Sequence, residues 1–171
     1  MIMGGSMIKF LIMDVDGTLT DGKIYMGSNG EVFKAFNVKD GCGIKDILPN
    51  YAIIPIIITV RESDALKVRC KELNIVEVHQ SVKNKIEKLQ QIVKQHNTLK
   101  ATYSLKDCAY IGDDLPDMPC MIAIKKMGGI VGCPADAISE IRDIADYVTE
   151  ATGGNGAVRE FIEYIIQKIN N

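Results

Sequence analysis

The sequence predicts an α/β fold built on one doubly wound parallel sheet. Three short apolar runs have the length and composition of strands buried on both faces: 8–13 (IKFLIM), 52–59 (AIIPIIIT) and 108–113 (CAYIGD). Helical patterns lie between these runs. Strands that alternate with helices form βαβ units, whose parallel sheet is covered by helices on both faces.

The helices are predicted from periodicity and from their end residues. The segment 63–74 begins with Ser63, a residue type that caps helices, and ends at Asn74. The segments 83–96 and 155–169 repeat apolar side chains every three or four residues, as on one helix face. These three helices supply the layers that cover the sheet.

Two weaker strands and one hairpin complete the prediction. The weaker strands are 128–132 (GGIVG) and 146–149 (DYVT), while Pro55 makes 52–59 a less certain central strand because proline lacks the N–H. The segment 23–36 (KIYMGSNGEVFKAF) breaks the alternation, since GSNG between two short strands is a hairpin signal. We therefore expect a β-hairpin insertion after the first strand.

Length and composition indicate one globular domain. The chain has 171 residues, and a net charge of −2 without a Lys/Arg-rich run predicts no nucleic-acid partner. No apolar run is long enough to span a membrane, and residues 1–6 (MIMGGS) lack the features of a signal peptide. We interpret 1–6 as a leader or cloning remnant and 7–171 as the domain. Five widely spaced cysteines favour reduced thiols in the cytoplasm over disulfides or a zinc site.

Polar residues follow the predicted strands at their carboxyl ends, where parallel α/β sheets bind ligands. They comprise two acidic groups, one threonine and one lysine: Asp14, Asp16, Thr59, Lys85, Asp113, Asp114 and Asp117. Clustered carboxylates repel one another unless they are protonated or a cation lies among them. Oxygen ligands suit Mg²⁺, and a lysine with a threonine hydroxyl suits a phosphate. The sequence therefore predicts a magnesium–phosphate site.

The DxD pair in DVDGT suggests how such a site would react. A carboxylate can attack phosphorus and form an acyl phosphate, with Mg²⁺ offsetting the repulsion between the two anions. A second carboxylic acid can protonate the leaving alkoxide and later deprotonate water. Asp14 and Asp16 would divide these two roles.

The order of these motifs resembles the haloacid dehalogenase (HAD) superfamily of aspartate-nucleophile phosphatases. The closer resemblance is to its capless branch, the 3-deoxy-D-manno-octulosonate 8-phosphate (KDO 8-phosphate) phosphatases, and it covers nearly all of 7–171. It rests on DVDGTLTDG, VKDGCGIK, YIGDDLPD, CPADA and GGNGAVRE. The resemblance implies a Mg²⁺-dependent phosphatase of a 2-keto-3-deoxy sugar acid phosphate. KDO 8-phosphate is favoured, and the 9-phosphates of N-acylneuraminate and ketodeoxynononate, substrates of related enzymes, are the alternative.

The matching motifs imply a role for each polar residue. Asp14 is the nucleophile, Asp16 is the general acid and base, and both bind Mg²⁺ together with Asp113. Asp16 would do so through its backbone carbonyl. Thr59 binds the phosphate, and Lys85 neutralises phosphate and nucleophile. Two further aspartates would support the metal ligands: Asp114 and Asp117.

A capless domain leaves its site open, and the resemblance implies that a homotetramer closes it. The hairpin at 23–36 would build the assembly, and the GGNGAVRE tail would reach a neighbouring site.

Two departures from the family pattern concern the substrate. Val60 replaces the common glycine after Thr59, and the tail carries an asparagine where arginine is common. The residues implied to bind substrate are Arg61, Gly153, Gly154 and Asn155.

Other interpretations are less well supported. A signalling receiver domain also combines aspartates, Thr and Lys with Mg²⁺, but its acidic pair and phospho-acceptor follow a different strand order. A phosphatase-like module that only assembles or regulates is disfavoured by the intact DxD pair. The GxG within 40–46 follows no strand, so a dinucleotide site is weakly indicated. Lys83 is an alternative to Lys85, although NKIEKL matches the family better at Lys85.

Overall fold

The computed structural model describes residues 8–170, in which eight strands and six α-helices alternate. The strands are β1 (Phe10–Met13), β2 (Tyr25–Gly27), β3 (Gly30–Phe33), β4 (Ile54–Ile58), β5 (Glu77–His79), β6 (Cys108–Ile111), β7 (Ile130–Cys133) and β8 (Tyr147–Val148). The helices are α1 (Val38–Cys42), α2 (Asp64–Glu72), α3 (Lys85–Gln95), α4 (Met118–Met127), α5 (Ser139–Ile144) and α6 (Ala157–Asn170). The predicted leader, 1–6, lies outside the described residues.

Six strands form one parallel sheet in the order β5–β4–β1–β6–β7–β8, which confirms the predicted fold class. The chain runs outward from β1 to β4 and β5, then returns to the other side of β1 and continues to β8. Strand order therefore reverses between β1 and β6. A crevice beyond the carboxyl ends of the strands at such a reversal is where doubly wound sheets bind ligands.

Both faces of the sheet are covered by helices, because alternate side chains of each strand point to opposite faces. Leu11 and Met13 of β1 pack in one cluster with α2 and α6, whereas Phe10 and Ile12 pack in another with α3, α4 and α5. All four β1 side chains are buried, so this strand lies at the centre of the hydrophobic core. Its carboxyl end is correspondingly well fixed.

Pro55 is accommodated inside β4 without loss of a sheet hydrogen bond. The N–H of Ile54 donates to the Lys9 carbonyl on the β1 side, so the nitrogen of Pro55 faces the β5 side. Pairing with β5 begins only at Ile56. The position where proline lacks an N–H therefore precedes the first paired residue of β5, and no sheet hydrogen bond is lost there.

The predicted hairpin is present as the antiparallel pair β2–β3, with its turn at Ser28 and Asn29. Tyr25 and Phe33 stack across the pair with ring centroids 4.5 Å apart. Two other hairpin side chains are largely exposed, Met26 at 66% and Val32 at 64%. Among the helices of the described chain, none has the length and hydropathy that a bilayer span requires.

Candidate active site

Six of the seven polar residues predicted at the strand ends line one pocket at the β1–β6 crevice, and Asp113 lies beside Asp14 without lining it. Asp14 directly follows β1, Thr59 directly follows β4, and Asp113 follows β6 by two residues. The pocket has a volume of about 210 Å³ and is open to solvent. Its lining residues are Asp14, Asp16, Thr59, Val60, Arg61, Lys85, Asp114, Pro116 and Asp117.

A buried lysine links two of the aspartates. Lys85 is the first residue of α3, and its Nζ donates to Asp14 Oδ1 at 2.6 Å and to Asp117 Oδ1 at 2.7 Å. Burial raises the pKa of Asp14, the charge of Asp117 adds to this, and Lys85 opposes it. Burial disfavours the charged lysine, but the two carboxylates outweigh it and raise the pKa of Lys85. Lys85 is therefore a fixed positive charge beside Asp14.

Asp117 is held by four donors, which leaves neither of its oxygens unoccupied. Oδ1 accepts from Lys85 and from the Tyr110 hydroxyl at 2.7 Å. Oδ2 accepts from the backbone N–H groups of Asp113 at 3.0 Å and Asp114 at 3.3 Å. A side chain at Gly112 would collide with this carboxylate, so glycine permits the close approach. Asp117 thus fixes Lys85 and the loop after β6, while its predicted support of the metal ligands stays a prediction.

Asp113 lies opposite Asp14 and is set by the turn after β1. The Thr18 hydroxyl donates to Asp113 Oδ1 at 2.8 Å, and Gly17, at φ +96°, faces the same carboxylate. Burial raises the pKa of Asp113 to about 6; the Thr18 hydrogen bond lowers it, and the charge of Asp117 raises it further. Burial and the charge of Asp117 thus disfavour the ionised carboxyl, and a bound cation would offset both effects.

These carboxylates fit a divalent metal ion. One oxygen from each of Asp14, Asp113 and Asp117 lies within 4.8 Å of the others. Oxygen-only donors suit Mg²⁺, which needs only one or two carboxylates besides water and substrate phosphate. Since the oxygens of Asp117 are occupied by donors, Asp14 and Asp113 are the better ligands. The metal-binding role predicted for the Asp16 backbone carbonyl stays a prediction.

The side chain of Asp16 is paired with two cations, one from the hairpin and one from the loop after β4. It accepts a hydrogen bond from Lys34, and its Oδ2 lies 3.9 Å from Arg61 Nε. Lys34 also pairs with Glu31 at 3.1 Å, and Arg61 Nη2 donates to the same Glu31 at 3.1 Å. Sequence reasoning predicted Asp16 and Arg61 but missed Glu31 and Lys34. The only local signal was a Glu and a Lys three residues apart in the hairpin.

The remaining substrate-binding predictions are placed differently. Gly153 and Gly154 pack against the turn after β1 of the same chain, where the Gly154 N–H donates to the Thr18 carbonyl at 3.0 Å. The Asn155 side chain donates to Thr152 Oγ1 at 2.8 Å and so closes its own turn. None of the three lines the pocket of this chain. The contact of all three with substrate stays a prediction, whereas Gly153 and Gly154 contact the turn after β1 directly.

The chain is similar to curated enzymes over most of its length. It is 41% identical to the 3-deoxy-D-manno-octulosonate 8-phosphate phosphatase of Salmonella typhi over 159 residues, which are 93% of this chain and 79% of the relative. The enzyme of the same name from Yersinia pestis is 39% identical, over 93% of this chain and 80% of the relative. No model of a protein family matches the chain.

Solved structures of such enzymes share its fold. The KDO 8-phosphate phosphatase of Moraxella catarrhalis, in complex with magnesium, phosphate and KDO, superposes with a TM-score of 0.85 at 40% identity, covering 97% of this chain and 90% of that one. The cobalt-bound phosphatase of Haemophilus influenzae gives a TM-score of 0.85 at 34% identity, covering 96% and 91%. The identity extends over nearly the whole chain, and the DxD motif after β1 lies at one crevice with the acidic loop after β6. This protein belongs to the KDO 8-phosphate phosphatase family of the HAD superfamily.

Proposed function

We propose that this protein hydrolyses KDO 8-phosphate to KDO and phosphate, with Mg²⁺ as its cofactor. The observation that carries the proposal is Asp14, a buried carboxylate that lines the open pocket, accepts from Lys85 at 2.6 Å and lies beside the carboxylate of Asp113. A carboxylate in this setting can act as a nucleophile toward a phosphate monoester. The named activity of the Salmonella typhi and Yersinia pestis relatives supplies the substrate.

Asp14 would attack the phosphorus and form an aspartyl phosphate. Lys85 donates to Oδ1 of this carboxylate and offsets part of its negative charge as the phosphate approaches. Mg²⁺, when bound by Asp14 and Asp113, supplies positive charge that offsets the repulsion between nucleophile and phosphate. Lys85 adds a second positive charge at the transferred phosphoryl group, and the Thr59 hydroxyl would donate to a phosphate oxygen.

Asp16 would serve as the general acid and then as the general base. It lines the pocket two residues after Asp14, with its carboxylate on the side of Arg61. In the first step it protonates the departing alkoxide, and in the second it takes a proton from the water that attacks the aspartyl phosphate. Free phosphate and the original Asp14 carboxylate result.

Substrate choice would depend on Arg61 and on the open side of the pocket. The Arg61 side chain is 43% exposed and lies at the pocket wall, where its guanidinium could bind the carboxylate of a sugar acid. The exposed side chain of Val60 also lines the pocket and gives it an apolar surface where the family commonly has glycine. An N-acylneuraminate or ketodeoxynononate 9-phosphate, which is one carbon longer, is the alternative substrate.

We further propose a homotetramer in which the hairpin forms the contact and a neighbour closes the pocket. The exposed apolar side chains of Met26, Val32 and Phe33 support this, because such patches commonly mark interfaces. A Val32→Asp variant should then sediment as a smaller assembly than the wild type in a sedimentation-velocity experiment.

We also propose a cytoplasmic location. It is supported by five free cysteine thiols, the form that a reducing compartment maintains.

The activity is tested by phosphate release from KDO 8-phosphate with and without Mg²⁺. We expect release that requires Mg²⁺ and that Asp14→Asn abolishes. Asp64→Asn is the matched control, since the Asp64 side chain is 93% exposed on α2, and it should retain wild-type activity. No release from any sugar phosphate would support a non-catalytic module. A clearly higher kcat/KM on either 9-phosphate would make the longer sugar acid the substrate.

A further inference from the structure

We propose that Lys34, from the hairpin, is a positioning residue for the general acid Asp16. Lys34 fixes one oxygen of that carboxylate so that the other faces the leaving group. The inference rests on the proposed role of Asp16 and adds a residue that the catalytic motifs do not contain. It also assigns the hairpin a direct part in the chemistry of its own chain.

The contacts of Lys34 are specific and buried. Its side chain is 3% exposed, and its ammonium group pairs with Asp16 Oδ1 and with Glu31 Oε2 at 3.1 Å. Burial of an ammonium group is costly unless it is paired and hydrogen-bonded, and here both partners are carboxylates. An ammonium group held by two anions in this way is a fixed point of the structure.

Burial also distinguishes Lys34 from the other cation near Asp16. The Arg61 side chain is 43% exposed and lines the pocket, whereas Lys34 does not line it. Arg61 is therefore available to substrate, and Lys34 is not. Its effect must pass through the carboxylate it holds. Because Lys34 occupies Oδ1 of Asp16, Oδ2 is the oxygen left to carry the catalytic proton.

Glu31 anchors this arrangement to the loop after β4. Glu31 Oε1 accepts from the Ser63 hydroxyl at 2.7 Å, and Oε2 accepts from Arg61 at 3.1 Å in addition to Lys34. A single carboxylate thus connects the hairpin, the loop after β4 and, through Lys34, the loop after β1. The orientation of Asp16 is consequently set by how the hairpin folds back onto the domain.

The test exploits the need for a general acid. An alkoxide leaving group needs a proton, whereas p-nitrophenolate leaves without one, and kcat/KM reports the steps up to that departure. We expect Lys34→Met to lower kcat/KM on KDO 8-phosphate about 30-fold, a fraction of the 10²–10⁴-fold typical of general acid–base catalysis. On p-nitrophenyl phosphate the loss should be under about threefold. Lys34→Arg, which keeps the donor, should restore most of the activity.

Two further variants make the outcome decisive. Lys23→Met, which removes a 75% exposed lysine of the same hairpin, should match the wild type on both substrates. Glu31→Gln leaves Lys34 in place but loosens its anchor, and it should show the same leaving-group dependence more weakly. Equal losses on both substrates in Lys34→Met and Glu31→Gln, or no loss in either variant, would overturn the inference. A wild type that releases no phosphate would instead overturn the proposed function.

Discussion

Gly17 is the position where a single methyl group should disable the metal site. Its φ is +96°, a conformation that side chains rarely adopt, and an added Cβ would lie 2.6 Å from Asp113 Cγ and 2.9 Å from Oδ1. In Gly17→Ala the backbone strain costs about 1–3 kcal/mol. Displacing the Asp113 carboxylate adds a packing cost of about 1–3 kcal/mol. We expect the free energy of unfolding of the variant to fall by the sum of these two costs. We also expect it to bind Mg²⁺ poorly, because the Asp113 carboxylate is displaced.

Gly128→Ala is the control that separates strain from collision. Gly128 has φ +88° at the end of α4, and an added Cβ would meet nothing within 4 Å. Urea unfolding of both variants should therefore differ by the collision alone, about 1–3 kcal/mol.

Repeating the unfolding with Mg²⁺ tests the site itself. A ligand at 100 times its Kd stabilises the folded state by about 2.7 kcal/mol, and Gly128→Ala should retain this gain. Gly17→Ala should lose at least half of it. Equal stability losses in the two variants, together with an unchanged Mg²⁺ effect in Gly17→Ala, would refute the argument.

Three more predictions concern the groups around the nucleophile. Lys85→Met leaves two buried carboxylates without their cation, so it should lower the free energy of unfolding by about 3–5 kcal/mol and abolish nearly all activity. Lys83→Met removes an exposed lysine and should change neither quantity. Urea unfolding and phosphate release measure the two effects. Tyr110→Phe removes one of four donors to Asp117 and should cost about 1–3 kcal/mol by urea unfolding, with kcat reduced far less than in Lys85→Met. The pKa of Asp113, raised to about 6, means that this carboxyl stabilises the metal-free fold below pH 4 and loses that contribution as pH rises through 6. The rise in Tm on adding Mg²⁺ should therefore be larger at pH 7.5 than at pH 5, and an equal rise at both would contradict it.

The central strands could be predicted because their apolar runs are continuous, whereas two other regions gave no such signal. The three residues of β5 include Glu77 and His79, so no apolar run marked that strand. Between 38 and 51 the helix α1 passes into a π-helical turn and a 3₁₀ turn. The glycines in DGCG and Pro49 interrupt any regular period there. Tertiary packing on α6, rather than local pattern, stabilises that stretch.

Three motif residues of the site could be predicted because they lie within two residues of a strand's carboxyl end: Asp14, Thr59 and Asp113. Asp14 and Asp113 lie at neighbouring strands in the parallel sheet, so their proximity follows from the topology. The partners of these residues could not be predicted in the same way. Tyr110 reaches Asp117 from inside β6, and Lys34 reaches Asp16 only because the hairpin folds back. Neither contact has a sequence spacing that would reveal it.

The two aspartates of the DxD motif are paired with separate lysines, and this difference fits the roles that we propose for them. Asp14 is held by Lys85, which is anchored in turn by Asp117, and all three side chains are buried. Asp16 is held by Lys34 from the hairpin. A nucleophile must keep one position, whereas a general acid must match a leaving group that arrives from outside. If the exposed side of the hairpin contacts another subunit as proposed, assembly would affect the orientation of Asp16 through Lys34. The orientation of Asp14 would be affected much less, because Lys85 holds it from α3.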